Sequence, residues 1–134
     1  MKRGFTMSNK VAVICKDAPS PIGPYSQAVK AGGMLYISGQ LGIDPATGEL
    51  PKRVEQQTEL ALGYIRAILA SEGLTPSSVV KTTVFLDKFE DFAAMNGVYA
   101  NFFNDGAAPA RSCVAVEQLP KNALVEIEAI AVYT

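Results

Sequence analysis

The chain has 134 residues, 49% of them apolar, with 12 Lys and Arg against 13 Asp and Glu for a formal net charge of −1. That length suits one domain with its own core. The near-zero charge and the lack of any basic run exclude the electrostatic footprint of a nucleic-acid binder, and no apolar segment is long enough to span a membrane. There is no histidine, which excludes imidazole general bases, His-based triads and His-ligated zinc. The two cysteines, Cys15 and Cys113, are far apart and lack metal spacing, and no Asp/Glu cluster supplies a metal site instead. They predict free thiols in a reducing, cytoplasmic compartment.

Residues 1–10 read as a short lead-in without the apolar stretch of a signal peptide, with Met7 a second candidate start. Residues 11–134 read as a single domain. Val11 to Cys15 is a short apolar run and predicts a first strand. Pro19, Pro21 and Pro24 keep the next stretch irregular. Tyr25 to Ala31 alternates and reaches Gly32-Gly33, a two-residue hairpin turn, and Met34 to Ser38 is the returning strand. Residues 39–51 read as a surface loop, with turn signals at Asp44-Pro45 and Thr47-Gly48.

Val54 to Glu72 predicts a helix. Leu60, Ala61, Tyr64, Ile65, Ile68 and Leu69 form its apolar stripe, and Gly73 ends it. Gly63 inside it costs about 1 kcal/mol relative to alanine, and reads as close packing or simple tolerance. Val79 to Leu86 is a β-branched strand. A second helix is expected from about Phe89 to Phe103, with Phe92, Met95, Val98, Tyr99 and Phe102 inward and Asp87 with Glu90 as a capping box.

The last stretch carries the most chemistry. Arg111 to Val116 and Val125 to Val132 both alternate in the manner of strands, and Leu119-Pro120-Lys121-Asn122 between them has turn chemistry. An antiparallel hairpin centred near Pro120 and Lys121 would put Arg111 and Cys113 on one face with Glu126 and Glu128. Read from the residues alone, an Arg and a Glu on neighbouring strands most often form a structural ion pair. Glu128 reads as a solvated or intersubunit charge, and Cys113 as a small core residue without an activating neighbour.

The element order predicts an α+β domain: a mixed sheet of about six strands with two helices on one face. The other face must then meet solvent or another subunit, and its small apolar residues favour an oligomer.

Several motifs occur in order: Gly23-Pro-Tyr-Ser-Gln-Ala28, Ser38-Gly-Gln40, Asp44-Pro-Ala-Thr-Gly-Glu49, Asp91-Phe92 with Met95-Asn96 and Val98-Tyr99, Phe102-Phe103, Pro109-Ala-Arg-Ser-Cys113, and Leu119-Pro-Lys121 through Val125-Glu-Ile-Glu128. Together they cover the chain from about Val11 to Val132. In them the sequence resembles the Rid family (YjgF/YER057c/UK114), and within it the RidA-like 2-iminobutanoate/2-iminopropanoate deaminases. The resemblance implies a chorismate-mutase-like fold and a homotrimer with sites between subunits. It also implies hydrolysis of reactive enamines and imines, such as 2-aminoacrylate and 2-aminocrotonate, to 2-keto acids and ammonia without a cofactor. By motif, Arg111 would bind the substrate carboxylate and Glu126 would position the attacking water. Cys113 would assist through its backbone, Tyr25, Ser38 and Gly39 would line the cleft, and Asn96 is a further candidate. Two departures, Tyr64 where relatives commonly carry Asn and a short loop before Pro109, bear on substrate breadth.

The residue types suit that chemistry. A guanidinium holds a carboxylate through two parallel hydrogen bonds, and a carboxylate can orient water and relay protons where histidine is missing. Two other readings use the same residues: a non-catalytic trimer that binds 2-keto acids or similar carboxylates in the Arg111 cleft, and nucleic-acid processing, which the absent basic stripe and histidine disfavour.

Overall fold

A computed structural model describes residues 9–134, so the expected lead-in lies almost wholly outside the described residues. Six strands form one mixed sheet: β1 (Val11–Val13), β2 (Ala28–Ala31), β3 (Met34–Leu41), β4 (Val79–Leu86), β5 (Ala110–Ala115) and β6 (Val125–Val132). The helices are α1 (Val54–Ser71) and α2 (Phe92–Phe102). In the sheet the strands run β1-β2-β3-β6-β4-β5, a chorismate-mutase-like α+β arrangement. β4 and β5 are parallel, and all other neighbours are antiparallel. A parallel pair needs a crossover, and α2 supplies it.

The hairpin at Gly32-Gly33 forms as expected, both glycines taking positive φ (57° and 77°). β1 and β2 are shorter than the alternation suggested, because Gln27 ties down the chain between them. Its side-chain carbonyl accepts from the Cys15 backbone N–H at 2.7 Å, and its amide donates to the Cys15, Ala18 and Pro19 carbonyls. β3 is longer than expected. It continues through Ser38-Gly39 to Leu41, with a register irregularity between Ile37 and Gln40 that marks a bulge.

α1 buries Ala61, Leu62, Tyr64, Ile65, Ile68 and Leu69 against the sheet, close to the expected stripe. It stops in a Schellman motif. Gly73 takes φ 72° and donates to the Ala70 carbonyl, while Leu74 donates to Leu69. α2 starts later than predicted. A 3₁₀ turn spans Phe89–Asp91, so Asp91 rather than Asp87 holds the N-cap position, and no side chain caps it. The capping box does not form.

The expected hairpin of the last two strands does not form either. β6 pairs with β3 and β4, and β5 pairs with β4, so β4 separates them. Composition gives the reason. Every second residue of β6 is fully buried (Val125, Ile127, Ala129, Ala131), whereas β5 buries none of its residues fully. The more apolar strand takes the central place and the polar one the edge. Residues 116–124 are long enough to carry the chain past β4.

Both helices lie on one sheet face, over Leu35, Ile37, Val84, Leu86, Val125 and Ile127. One end of the opposite face is covered by a small second core of Leu41, Leu119 and Ala123 with Phe85. The rest is open and carries exposed Tyr36, Val114 and Val132.

Candidate functional site

Arg111 lies on β5 beside Thr82 of β4. Residues side by side in a ladder share a face, so its half-buried side chain turns toward α2. One guanidinium nitrogen, Nη1, donates to Asn96 Oδ1 at 2.6 Å. The guanidinium carbon lies 4.7 Å from the Tyr99 ring centre and 5.5 Å from that of Phe92, within range of cation–π attraction. The ion pairs among the described residues are Lys30–Glu72 and Arg53–Glu55. Arg111 therefore has no carboxylate partner among them, and its remaining N–H groups stay available. A cleft of about 500 Å³ opens here, lined by Asn96, Tyr99, Phe103, Pro109 and Arg111. Cys113 follows on the same face, and burial pushes its thiol up despite the nearby Arg111. That keeps the thiol protonated and unsuited to nucleophilic attack.

Glu126 stands elsewhere. In β6 it pairs with Phe85, and Glu128 with Thr83, which places both on the sheet face opposite Arg111 and Cys113. The expected sharing of a face between Arg111, Cys113 and the two glutamates is thus overturned, and with it the structural ion pair. Instead, Glu126 rests against Gly39. A Cβ on Gly39 would lie 2.6 Å from the Glu126 carboxylate, so a larger residue there would push the Glu126 side chain from its present position. The carboxyl has no hydrogen-bond partner among the described residues. Burial, and secondarily the nearby Glu128, raises its pKa above the ordinary value of 4.5. Ser38 and Tyr25 belong to this second group. Ser38 Oγ donates to the Ser26 carbonyl at 2.6 Å, and Tyr25 and Gly39 line one small cavity.

The predicted residues therefore fall into two groups: Arg111, Asn96 and Cys113 on the helical face, and Glu126, Gly39, Ser38 and Tyr25 around the bulge in β3. The first offers a guanidinium beside an amide, the second a half-buried carboxyl beside a glycine.

A family model described as endoribonuclease L-PSP matches residues 15–133. The chain belongs to this family, the Rid (YjgF) family. Similar Rid proteins include a RutC family protein of Pyrococcus horikoshii, 50% identical over 123 residues that make up 91% of this chain and 97% of the relative. Another is TdcF of Escherichia coli K12, named as a candidate reactive intermediate deaminase, 47% identical over 86% of this chain and 91% of TdcF. Among solved structures, E. coli TdcF with bound serine superposes with a TM-score of 0.87 at 44% identity, covering 92% of this chain and 99% of that one. A candidate endoribonuclease from Thermotoga maritima superposes at 0.86 with 47% identity, over 100% and 99% of the two chains.

Two residues join the candidate site that the sequence reading places in the motifs and on the inner helix face without a role there: the rings of Tyr99 and Phe92 lie beside Arg111. The signal was available: Asn96, Tyr99 and Phe92 lie three or four residues apart in a helix and so share one side.

Proposed function

We propose that this Rid protein hydrolyses small enamines and imines bearing a carboxylate to 2-keto acids and ammonia, with Arg111 as carboxylate anchor and Glu126 as the group that holds and deprotonates water. The general class, a deaminase of reactive intermediates, is supported by the relatives. The observation that carries the residue assignment is Arg111 itself: a half-buried guanidinium held by a neutral amide and two aromatic rings, with no acid opposite it among the described residues. A buried cation without a counter-charge is costly, and an anionic ligand relieves that cost.

The reaction asks little more of the protein. The enamine takes a proton at its β-carbon to give the imine, and the imine carries a proton on nitrogen. Water adds to the C=N carbon as Glu126 accepts one of its protons. The resulting carbinolamine receives that proton on nitrogen, the C–N bond breaks to release ammonia, and the C=O bond forms as the hydroxyl proton passes to the Glu126 carboxylate and on to solvent, which offsets the proton that solvent gave to the β-carbon. A carboxyl whose pKa is raised by burial holds a proton more readily than an exposed one and can both take and return it.

The two groups of residues lie on opposite faces of one sheet, so a single chain cannot bring both to one ligand. A homotrimer, in which Arg111 of one copy faces Glu126 of the next, resolves this. The exposed Tyr36, Val114 and Val132 on the open face suit burial between copies. No cofactor enters the scheme, and the protein would act in the cytoplasm. Among the described residues no helix is long and apolar enough to cross a membrane.

A second reading, a trimer that binds small carboxylates without turnover, is favoured by the serine in the TdcF structure. Nucleic acid as a substrate, which the family's description suggests, is opposed by the net charge of −1 and the absence of histidine. A coupled assay decides between the first two. A serine or threonine dehydratase generates the enamine, and keto-acid release is followed with wild type and Arg111→Ala. Acceleration by wild type alone is expected. Tight binding of 2-ketobutyrate with no acceleration by wild type would transfer the cleft to the binding reading.

A further inference from the structure

We infer that Thr82 and Tyr99 form a tether that orients the Arg111 guanidinium, making both of them positioning residues for the ligand carboxylate. This rests on the reading of Arg111 as the carboxylate anchor. Thr82 points inward from β4 and is 1% exposed, in line with the apolar Val84 and Leu86. A hydroxyl at such a position is costly unless it is paired. Its partner is the Tyr99 hydroxyl, 2.7 Å away.

Tyr99 reaches that hydroxyl from α2, across the core, and its ring passes over Arg111 on the way. Thr82 is also the residue directly beside Arg111 in the β4–β5 ladder. The tyrosine is thus pinned at its far end to the strand that neighbours the arginine. Asn96, three residues earlier and on the same side of α2, accepts a hydrogen bond from the guanidinium. Ring and amide together define where the guanidinium fork lies.

A phenylalanine over a valine would fill nearly the same volume with no buried hydroxyl to satisfy. What the hydroxyl pair adds is direction. It fixes the far end of the Tyr99 ring, and so the line along which the ring lies over Arg111, and cation–π attraction depends on where the ring stands relative to the cation. Burial keeps the phenol protonated, so it places no negative charge beside Arg111 to compete with the ligand.

The test uses Thr82→Val, Tyr99→Phe, the double variant and Arg111→Ala. Thermal unfolding, 2-ketobutyrate binding by calorimetry, and steady-state kinetics are measured well below the unfolding temperature. Each single variant orphans one buried hydroxyl and lowers the melting temperature, while the double variant removes both and recovers most of it. Binding does not recover. The double variant holds 2-ketobutyrate roughly two- to ten-fold more weakly than wild type, the size of one lost orienting hydrogen bond, and raises KM by a similar factor with kcat nearly unchanged. A double variant that binds like wild type, or that loses kcat at unchanged KM, overturns the tether while the anchor stands, provided Arg111→Ala has lost binding. Wild-type affinity in Arg111→Ala removes the anchor and the tether together.

Discussion

Arg111 and Glu126 share a property that most charged residues of this chain lack. Each is about half withdrawn from water and neither meets an opposite charge among the described residues. For Glu126 the consequence is measurable in the free protein. Its folded-state pKa is raised, by burial first and by Glu128 second, so the protonated form is favoured in the fold. The stability this contributes is fully present below the unfolded-state value near 4.3 and is lost as pH rises through the raised folded-state value. Glu126→Gln keeps the shape and cannot ionise. Its melting temperature is expected to exceed that of wild type at neutral and alkaline pH, the gap closing as the pH falls below 4. A gap that stays constant across pH would show that the carboxyl is not under this strain. The same variant is expected to lose deaminase activity in the coupled assay.

Among the elements, two glycines show how position sets the meaning of a residue. Gly42 follows β3 where the first turn of α1 crosses it, and a Cβ there would lie 2.2 Å from the Gln57 carbonyl oxygen. That neighbour is backbone in a helix whose Gln57 side chain also bridges the Pro51 carbonyl and the Leu124 N–H, so it cannot yield without moving both loops. Gly63, inside α1, has no atom within 4 Å of its would-be Cβ beyond its chain neighbours and the adjoining helix backbone, which answers the choice between close packing and tolerance in favour of tolerance. Gly42→Ala is expected to destabilise by about 1–3 kcal/mol or more through overpacking. Gly63→Ala should stabilise by up to about 1 kcal/mol through helix propensity. Urea denaturation of both variants checks the pair, and a neutral Gly42→Ala would mean that the helix start is looser than its contacts imply.

For the whole molecule, two groups of site residues on opposite sheet faces predict complementation. Arg111→Ala and Glu126→Gln are each expected to be inactive as pure proteins. If the site forms between copies, mixing them under conditions that exchange subunits creates interfaces where an intact Arg111 faces an intact Glu126. Activity then returns to roughly a quarter of the wild-type level for random assembly around a closed ring. Mixed protein that stays inactive after verified exchange would place both residues in one chain's site and remove the trimer argument. Sedimentation of wild type should show three copies at micromolar concentration.

Much of this protein was legible without its structure. The 3.6-residue stripe of α1, the Gly73 stop, the Gly32-Gly33 hairpin and the β-branched run of β4 are local, and short-range sterics and capping decide them. The ordered motifs, through the family resemblance, made Arg111, Glu126, Asn96, Tyr25, Ser38, Gly39 and Cys113 candidates, and of these Arg111 and Glu126 are residue types suited to carboxylate recognition and water activation. What only the tertiary structure decided was adjacency. Alternation gives a strand two faces, yet it does not say which neighbour the strand takes. β5 and β6 looked like a hairpin because they follow one another in the chain. The greater apolar burial available to β6 drew it between β3 and β4, and that single insertion put Arg111 and Glu126 on opposite faces. Thr82, Tyr99 and the room that Gly39 leaves for Glu126 became visible for the same reason: they are contacts between elements distant in sequence, and those depend on how the sheet is ordered.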